Sequence, residues 1–252
     1  MQDEPTKPET YELPFQEIDI SSIKKVEDLP VFTKGCDSSY SWSKKFAHLM
    51  HREEPREVAS KLVENWNNVE CEDKEFLDLA FTGGEPLLKQ NQRHVVAIMK
   101  EISDITEDKW TPTVTFETNG TQPLIPEFVE FFQQYYSSGA QVIFSVSPKL
   151  FTVSGEKTKK AIKPEVVQTY RDIGFTYLKF VVSNTSECYT ELERTIDSFG
   201  RNTYHTYLMP VGATDSQQEE NHVKDVAEYC MRKNYIFCSR LHVFVFGNII
   251  GT

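Results

Sequence analysis

Apolar residues along this chain fall into two recurring patterns, short β-rich runs and longer stretches with helical spacing, and the two alternate. Strands are predicted over Val31 to Lys34, Leu77 to Thr82, Thr113 to Glu117, Gln141 to Ser147, Tyr177 to Ser183, His205 to Met209 and Leu241 to Phe246. Helices are predicted over Pro55 to Trp66, Arg93 to Ser103, Glu127 to Tyr136, Pro164 to Gly174, Tyr189 to Phe199 and Gln218 to Lys233. Pro126 and Pro164 stand at helix entrances and Gly174 at an exit, so several boundaries carry their own signal. Val58, Leu62 and Val63 share one face of the first helix, and Val95, Val96, Met99 and Ile102 one face of the second, so both should pack inward on a sheet. Repeated βα units imply an α/β fold with a mostly parallel sheet. About six units predict a partial (β/α)6-type barrel or an open sheet, fewer than a closed eightfold barrel needs.

Residues 1–12, with Pro5, Pro8 and many polar side chains, have too little apolar content to pack independently and read as a mobile arm; a single domain is expected over 13–252. The chain has 252 residues, 38 acidic against 27 basic, for a net charge of −11, which argues against direct nucleic-acid binding. No apolar run reaches the ~18 to 20 residues that span a bilayer, so no membrane partner is expected. Cys36, Cys71, Cys188, Cys230 and Cys238 form no regular set, and no basic stretch followed by an apolar one opens the chain. Both features suit a reducing cytoplasm and free thiols.

The chemistry concentrates where predicted strands end. Thr82-Gly83-Gly84-Glu85-Pro86 follows one strand and Glu117-Thr118-Asn119-Gly120-Thr121 ends the next. Adjacent glycines let a ligand approach the backbone closely, and a carboxylate beside them can hold an amine. Strand ends of this kind are where α/β folds place ligands, so the pair suggests a cradle for a zwitterionic small molecule.

Together with Ser147-Pro148-Lys149, Lys179-Phe180-Val181-Val182, Leu208-Met209-Pro210, Arg240-Leu241-His242 and Phe246-Gly247-Asn248, these motifs resemble the radical S-adenosylmethionine superfamily. Within it the order and spacing are most similar to the 7-carboxy-7-deazaguanine synthases of the queuosine pathway, over roughly Pro30 to the C-terminus. The resemblance implies a partial barrel of the radical S-adenosylmethionine kind. It also implies a lyase-type radical rearrangement of 6-carboxytetrahydropterin, with S-adenosylmethionine, a 4Fe-4S cluster and magnesium as cofactors. By the same resemblance Gly83, Gly84 and Glu85 meet the methionyl amine, and Glu117, Asn119, Ser147 and Lys149 face the pocket of cofactor and pterin-like substrate.

The first loop departs from that pattern. The family's Cys-x-x-x-Cys-x-x-Cys holds three irons through three thiolates. Here Cys36 stands at the first ligand position, but Tyr40 and Ser43 occupy the second and third. Phenol and hydroxyl are poor substitutes for a soft thiolate, so this loop is not expected to hold a family-type cluster. The family's Gln-Gly-Glu-Gly substrate segment also lacks a counterpart in Asp19 to Glu27. Two readings follow, an enzyme of the family's reaction and a catalytically inactive diverged member that binds S-adenosylmethionine or a pterin as a regulatory or partner protein. Cys36 with His48 and His51 offers donors for a different metal, but no fourth ligand is evident and His48 to His51 reads more simply as an ordinary helical turn. The apolar Val243-Phe244-Val245-Phe246, read as a last strand, would expose an edge that a homodimer is one way to cover.

Overall fold

Proline in the first turn, with the Glu54 amide donating to the Glu57 carboxylate at 3.0 Å, starts the first helix, α1 (Pro55–Asn68), where the sequence places it. The computed structural model describes residues 19–29, 39–41, 43–70, 77–220 and 223–246. The predicted arm, the predicted strand Val31 to Lys34, Cys36 and Cys71 lie outside these residues. After α1 come β1 (Leu79–Phe81), α2 (Lys89–Thr106), β2 (Val114–Thr118), α3 (Pro126–Ser137) and β3 (Val142–Val146). Then follow α4 (Phe151–Ser154), α5 (Thr158–Ala161), α6 (Pro164–Tyr170), β4 (Phe175–Val182), α7 (Ser186–Ser198) and β5 (Thr206–Pro210). The chain continues with α8 (Asp215–Glu220), α9 (Val223–Lys233), β6 (Ile236–Phe237) and α10 (Leu241–Phe246).

The fold is α/β, with strand order β1-β2-β3-β4-β5-β6, the order of the chain, as a (β/α)6-type arrangement has it. The pairings β1–β2, β2–β3, β4–β5 and β5–β6 are parallel. By internal contacts the chain divides into two units, one of residues 51–146 and 163–177, the other of the described residues within 19–50, 147–162 and 178–246. Among the described residues no helix is long and apolar enough to cross a membrane.

In the first unit the register aligns Phe81, Phe116 and Phe144 across β1, β2 and β3. Phe116 is fully buried, 5.5 Å from Phe81 and 5.3 Å from Phe144 between ring centres, and meets Phe128 and Phe132 of α3. Tyr170 at the end of α6 stacks on Phe144 at 4.8 Å. The inward stripes of α1 and α2 pack on each other, burying Ala59, Val63, Val95, Val96, Met99 and Ile102. Strand side chains alternate between faces, so this aromatic layer fixes where the others go. Thr115 and Glu117 turn to the opposite face of β2 and are half-buried, while Ala80 and Thr82 are exposed. A parallel strand buried on both faces would read as continuously apolar. The polar residues at the ends of β1 and β2 therefore mark the face and end of the sheet on which chemistry is to be sought.

In the second unit α9 packs on β5 and β6, burying Val226 and Cys230, and α7 buries Cys188, Leu192 and Ile196. Burial pushes the Cys230 thiol up to about 11, which makes it an inert core residue rather than a ligand. Glu193 of α7 accepts from Tyr229 at 2.7 Å, Tyr235 at 3.1 Å and Arg201 at 2.7 Å. Burial by itself would raise the Glu193 carboxyl, but hydrogen bonds from Tyr229, Arg201 and Tyr235 and the nearby Lys233 charge outweigh it and hold the group below its ordinary value. A carboxyl depressed on folding contributes stability above its unfolded value, about 4.3, and loses it as pH falls through the folded value. Glu193→Gln is therefore expected to flatten the acid limb of a stability-against-pH profile below about pH 4.3. An unchanged acid limb would remove the cluster from the stability of this unit.

One predicted strand is a helix. Leu241 to Phe246 forms α10, of which only Val243 is buried, with its amide donating to the Arg240 carbonyl at 2.9 Å. A short, uniformly apolar run has no alternation from which to choose a period. The place beside β5 is taken instead by β6, extended by the Cys238 amide donating to the Leu208 carbonyl at 2.9 Å. The edge strand that suggested a dimer is thus absent, and Phe244, Val245 and Phe246 are exposed on a helix. The predicted helix Gln218 to Lys233 is helical on both sides of residues 221–222, which lie outside the described residues, as α8 and α9.

Candidate functional site

At the end of β1 the chain turns through Gly83 at φ 76° and Gly84 at φ 38°. Left-handed backbone favours glycine. A methyl group built on Gly83 would meet no atom of the described residues within 4 Å, so among these residues the space beside this turn is open. Gly83→Ala should therefore cost only the backbone strain, about 1 kcal/mol, while placing a methyl where a ligand would approach. The expected result is a melting temperature lowered by about 3 °C and a disproportionate loss of ligand affinity, read by thermal denaturation and calorimetry on the same sample.

Glu85 follows, 8% exposed, and its carboxylate is directed back into the protein. Oε1 accepts from the Leu87 amide at 3.0 Å and the Thr118 hydroxyl at 2.7 Å, and Oε2 accepts from the Asn119 amide at 2.8 Å. Glu85 thus ties the Gly-Gly-Glu-Pro turn to the end of β2. A carboxylate has about four lone-pair sites. Three are engaged here, and the one left on Oε2 can accept from an ammonium without breaking the tie.

The residues after β2 are prepared in the same way. The Asn119 side-chain oxygen accepts from the Thr121 amide at 2.9 Å and the Thr121 hydroxyl at 2.7 Å, a local turn that holds the loop. Among the described residues no partner takes up the Asn119 side-chain amide hydrogens, which are left for a ligand's acceptor. Gly120 at φ 77° lies against the core: a methyl there would sit 2.5 Å from Val146 Cγ1 and 2.9 Å from Val167 Cγ2. Glu117, half-buried on the face opposite Phe116, is in register with Ser145 of β3.

Gly83, Gly84, Glu85, Glu117 and Asn119 therefore come together at the ends of two adjacent strands of the first unit, with Glu85 bonded directly to Asn119. Ser147 and Lys149 belong to the second unit, just beyond β3, with Lys149 Nζ at 3.5 Å from the Ser147 hydroxyl, the outer limit of a hydrogen bond. The sequence pattern assigns no role to Thr118 within its motif. Strand alternation puts it on the side of Phe116, where a hydroxyl needs a partner, and that partner is Glu85.

Tyr40 and Ser43 have structural roles in the second unit. Tyr40 packs against the apolar group of Ile20, Leu29, Phe46 and Leu49. The Ser43 hydroxyl accepts from the Lys45 amide at 3.4 Å, starting the 3-10 turn Lys44–Leu49. A packed phenol and a capping hydroxyl do not fit an iron-sulfur cluster. His48 Nε2 lies 3.0 Å from the Ile23 carbonyl, a backbone contact that already occupies one ring nitrogen. Among the described residues no group of three His, Cys, Asp or Glu could hold a metal ion.

No protein-family model matches the chain, and no curated protein matches its sequence significantly. Among solved structures it is similar to QueE from Escherichia coli, with a TM-score of 0.44 and 16% identity over 81% of this chain and 78% of that one. It is also similar to the catalytic domain of beta-amylase from Paenibacillus polymyxa, with a TM-score of 0.23 and 10% identity over 73% of this chain and 55% of that one.

Proposed function

We propose that the ends of β1 and β2 bind the amino-acid tail of S-adenosylmethionine or a pterin-like ligand. In this reading the chain is a diverged 7-carboxy-7-deazaguanine synthase-like protein that acts by binding, as a regulatory or partner protein. The observation that carries the reading is the Glu85 tie. It joins the Gly-Gly-Glu-Pro turn to the Glu-Thr-Asn-Gly-Thr loop and leaves one acceptor site on Oε2, two residues after Gly83, which has no described residue beside it. An ammonium on that oxygen and a carboxylate toward the Asn119 side-chain amide would match the two ends of a zwitterion. Calorimetric titration with S-adenosylmethionine tests it. Saturable binding that Gly83→Ala weakens is expected; no heat with either S-adenosylmethionine or 6-carboxytetrahydropterin overturns it.

The family's own reaction, radical rearrangement of 6-carboxytetrahydropterin, is the second reading, favoured by retention of Glu117, Asn119, Ser147 and Lys149 alongside the glycine turn. That reaction takes its electron from a 4Fe-4S cluster, which Tyr40 and Ser43 are not suited to hold. Anaerobic reconstitution separates the two. About four irons per chain with release of 5′-deoxyadenosine supports the enzyme, and iron-free protein that still binds S-adenosylmethionine supports the binding protein. Fold membership decides neither.

A further inference from the structure

Gln92 is a polar residue on an apolar stripe. It lies on α2 at the spacing of Val95, Val96 and Met99, and it is as fully buried as they are. Amphipathic packing alone would favour Leu there. Its side chain is engaged at every polar atom: Nε2 donates to the Leu87 carbonyl at 2.6 Å and the Pro123 carbonyl at 2.9 Å, and Oε1 accepts from the Ile125 amide at 2.8 Å. Leu87 belongs to the turn after β1, whereas Pro123 and Ile125 close the loop after β2. Gln92 therefore bridges the same two segments as Glu85, at their far end.

The loop needs this help for a covalent reason. Pro123 and Pro126 have no amide hydrogen, so the stretch before α3 can make few backbone bonds of its own. α3 also starts at Ile125 without a side-chain cap. A third support comes from α6, where Tyr170, fully buried and stacked on Phe144, donates its hydroxyl to the Gln122 carbonyl at 2.7 Å. Burial and the Glu85 charge push this phenol well above its ordinary value, so it remains a donor.

We infer that Gln92, assisted by Tyr170, is a positioning residue that holds the 118–125 loop in the shape in which Asn119 and Glu85 receive a ligand's amino-acid tail. The ligand half of this inference rests on the binding proposed above; the loop half rests on the hydrogen bonds alone. Leucine at 92 would keep the apolar packing and leave two carbonyls and one amide without partners. Glutamate there would set carboxylate oxygens against the two carbonyls.

The test uses Gln92→Leu and Tyr170→Phe in the full chain, with hydrogen exchange and two ligands that share an adenosyl group. S-adenosylmethionine carries the amino-acid tail, and 5′-methylthioadenosine lacks it. For Gln92→Leu, exchange at the Asn119, Thr121 and Ile125 amides is expected to rise about tenfold, with the β2 and β3 amides unchanged. S-adenosylmethionine affinity is expected to fall about tenfold, or ~1.4 kcal/mol, while 5′-methylthioadenosine affinity holds. Tyr170→Phe removes one hydrogen bond and keeps the ring, and should move the same amides in the same direction by a smaller factor. Wild-type exchange at the three amides in both variants overturns the inference. Equal loss of both ligands also overturns it, because that is what general destabilisation produces. If the wild type binds neither ligand the proposed function fails, and hydrogen exchange alone decides whether Gln92 fixes the loop.

Discussion

Glu85→Ala is expected to lower the melting temperature by roughly 6–12 °C and to abolish S-adenosylmethionine binding. The carboxylate is buried and accepts from the Leu87 amide, the Thr118 hydroxyl and the Asn119 amide. Each donor left buried without a partner costs about 1–3 kcal/mol. The Thr118 hydroxyl can rotate to the nearby Tyr170 oxygen once Glu85 no longer accepts from it, but the two backbone amides cannot move without moving the loop. Water entering the vacated space recovers part of the loss, so about 3 kcal/mol remains. Glu85→Gln sharpens the test, since it keeps the shape but turns an N–H₂ group toward a donor. It should be destabilised by about 2 kcal/mol and should also lose the ligand. Thermal denaturation followed by circular dichroism reads the first effect and calorimetry the second. A melting temperature of Glu85→Ala within about 2 °C of wild type would show that the three bonds do not hold the turn to the loop.

Gly120→Ala should be about as costly, for steric reasons. A methyl group at this position meets Val146 Cγ1 at 2.5 Å and Val167 Cγ2 at 2.9 Å, and both valines are fully buried. Overpacking of this kind costs about 1–3 kcal/mol. The left-handed backbone at φ 77° adds about 1–2 kcal/mol for a residue with a side chain. A total of about 2–5 kcal/mol is expected from these two contributions. The double variant Gly120→Ala with Val146→Ala checks the cause. Removing the valine methyl groups makes room for the new one, so the pair should be less destabilised than the sum of the single changes by about 1 kcal/mol or more. Strict additivity would assign the cost to the backbone alone. Set beside Gly83→Ala, where the added methyl meets no described residue, the two substitutions separate a glycine required by packing from one that leaves space beside the chain.

The paired strands were legible because their pattern was redundant. β1, β2, β3, β4 and β5 each combine β-branched or aromatic residues with a following loop and helix, and the structure moves their limits by only a few positions. The tail after Cys238 was not legible. Four consecutive apolar residues suit either period, and their conformation was settled when Ile236 and Phe237 took the place beside β5. The candidate site shows the same division. Gly83, Gly84, Glu85 and Asn119 could be named from the sequence because their chemistry is unusual at strand ends. Thr118 and Gln92 could not, although each is a polar residue on an apolar face, because their partners lie 33, 31 and 33 residues away in the chain.

By itself the sequence determined the α/β alternation and the strands that end in polar loops. These are local properties, set by side-chain period and by which atoms a residue carries. Only the tertiary structure decided that the Glu85 carboxylate is mostly spent on the protein, that Gly120 is closed in while Gly83 meets none of the described residues, and that Tyr40 belongs to an apolar cluster. Those outcomes depend on which buried donors and acceptors meet across segments distant in the chain, and burial makes every such group find a partner wherever the fold brings one within reach.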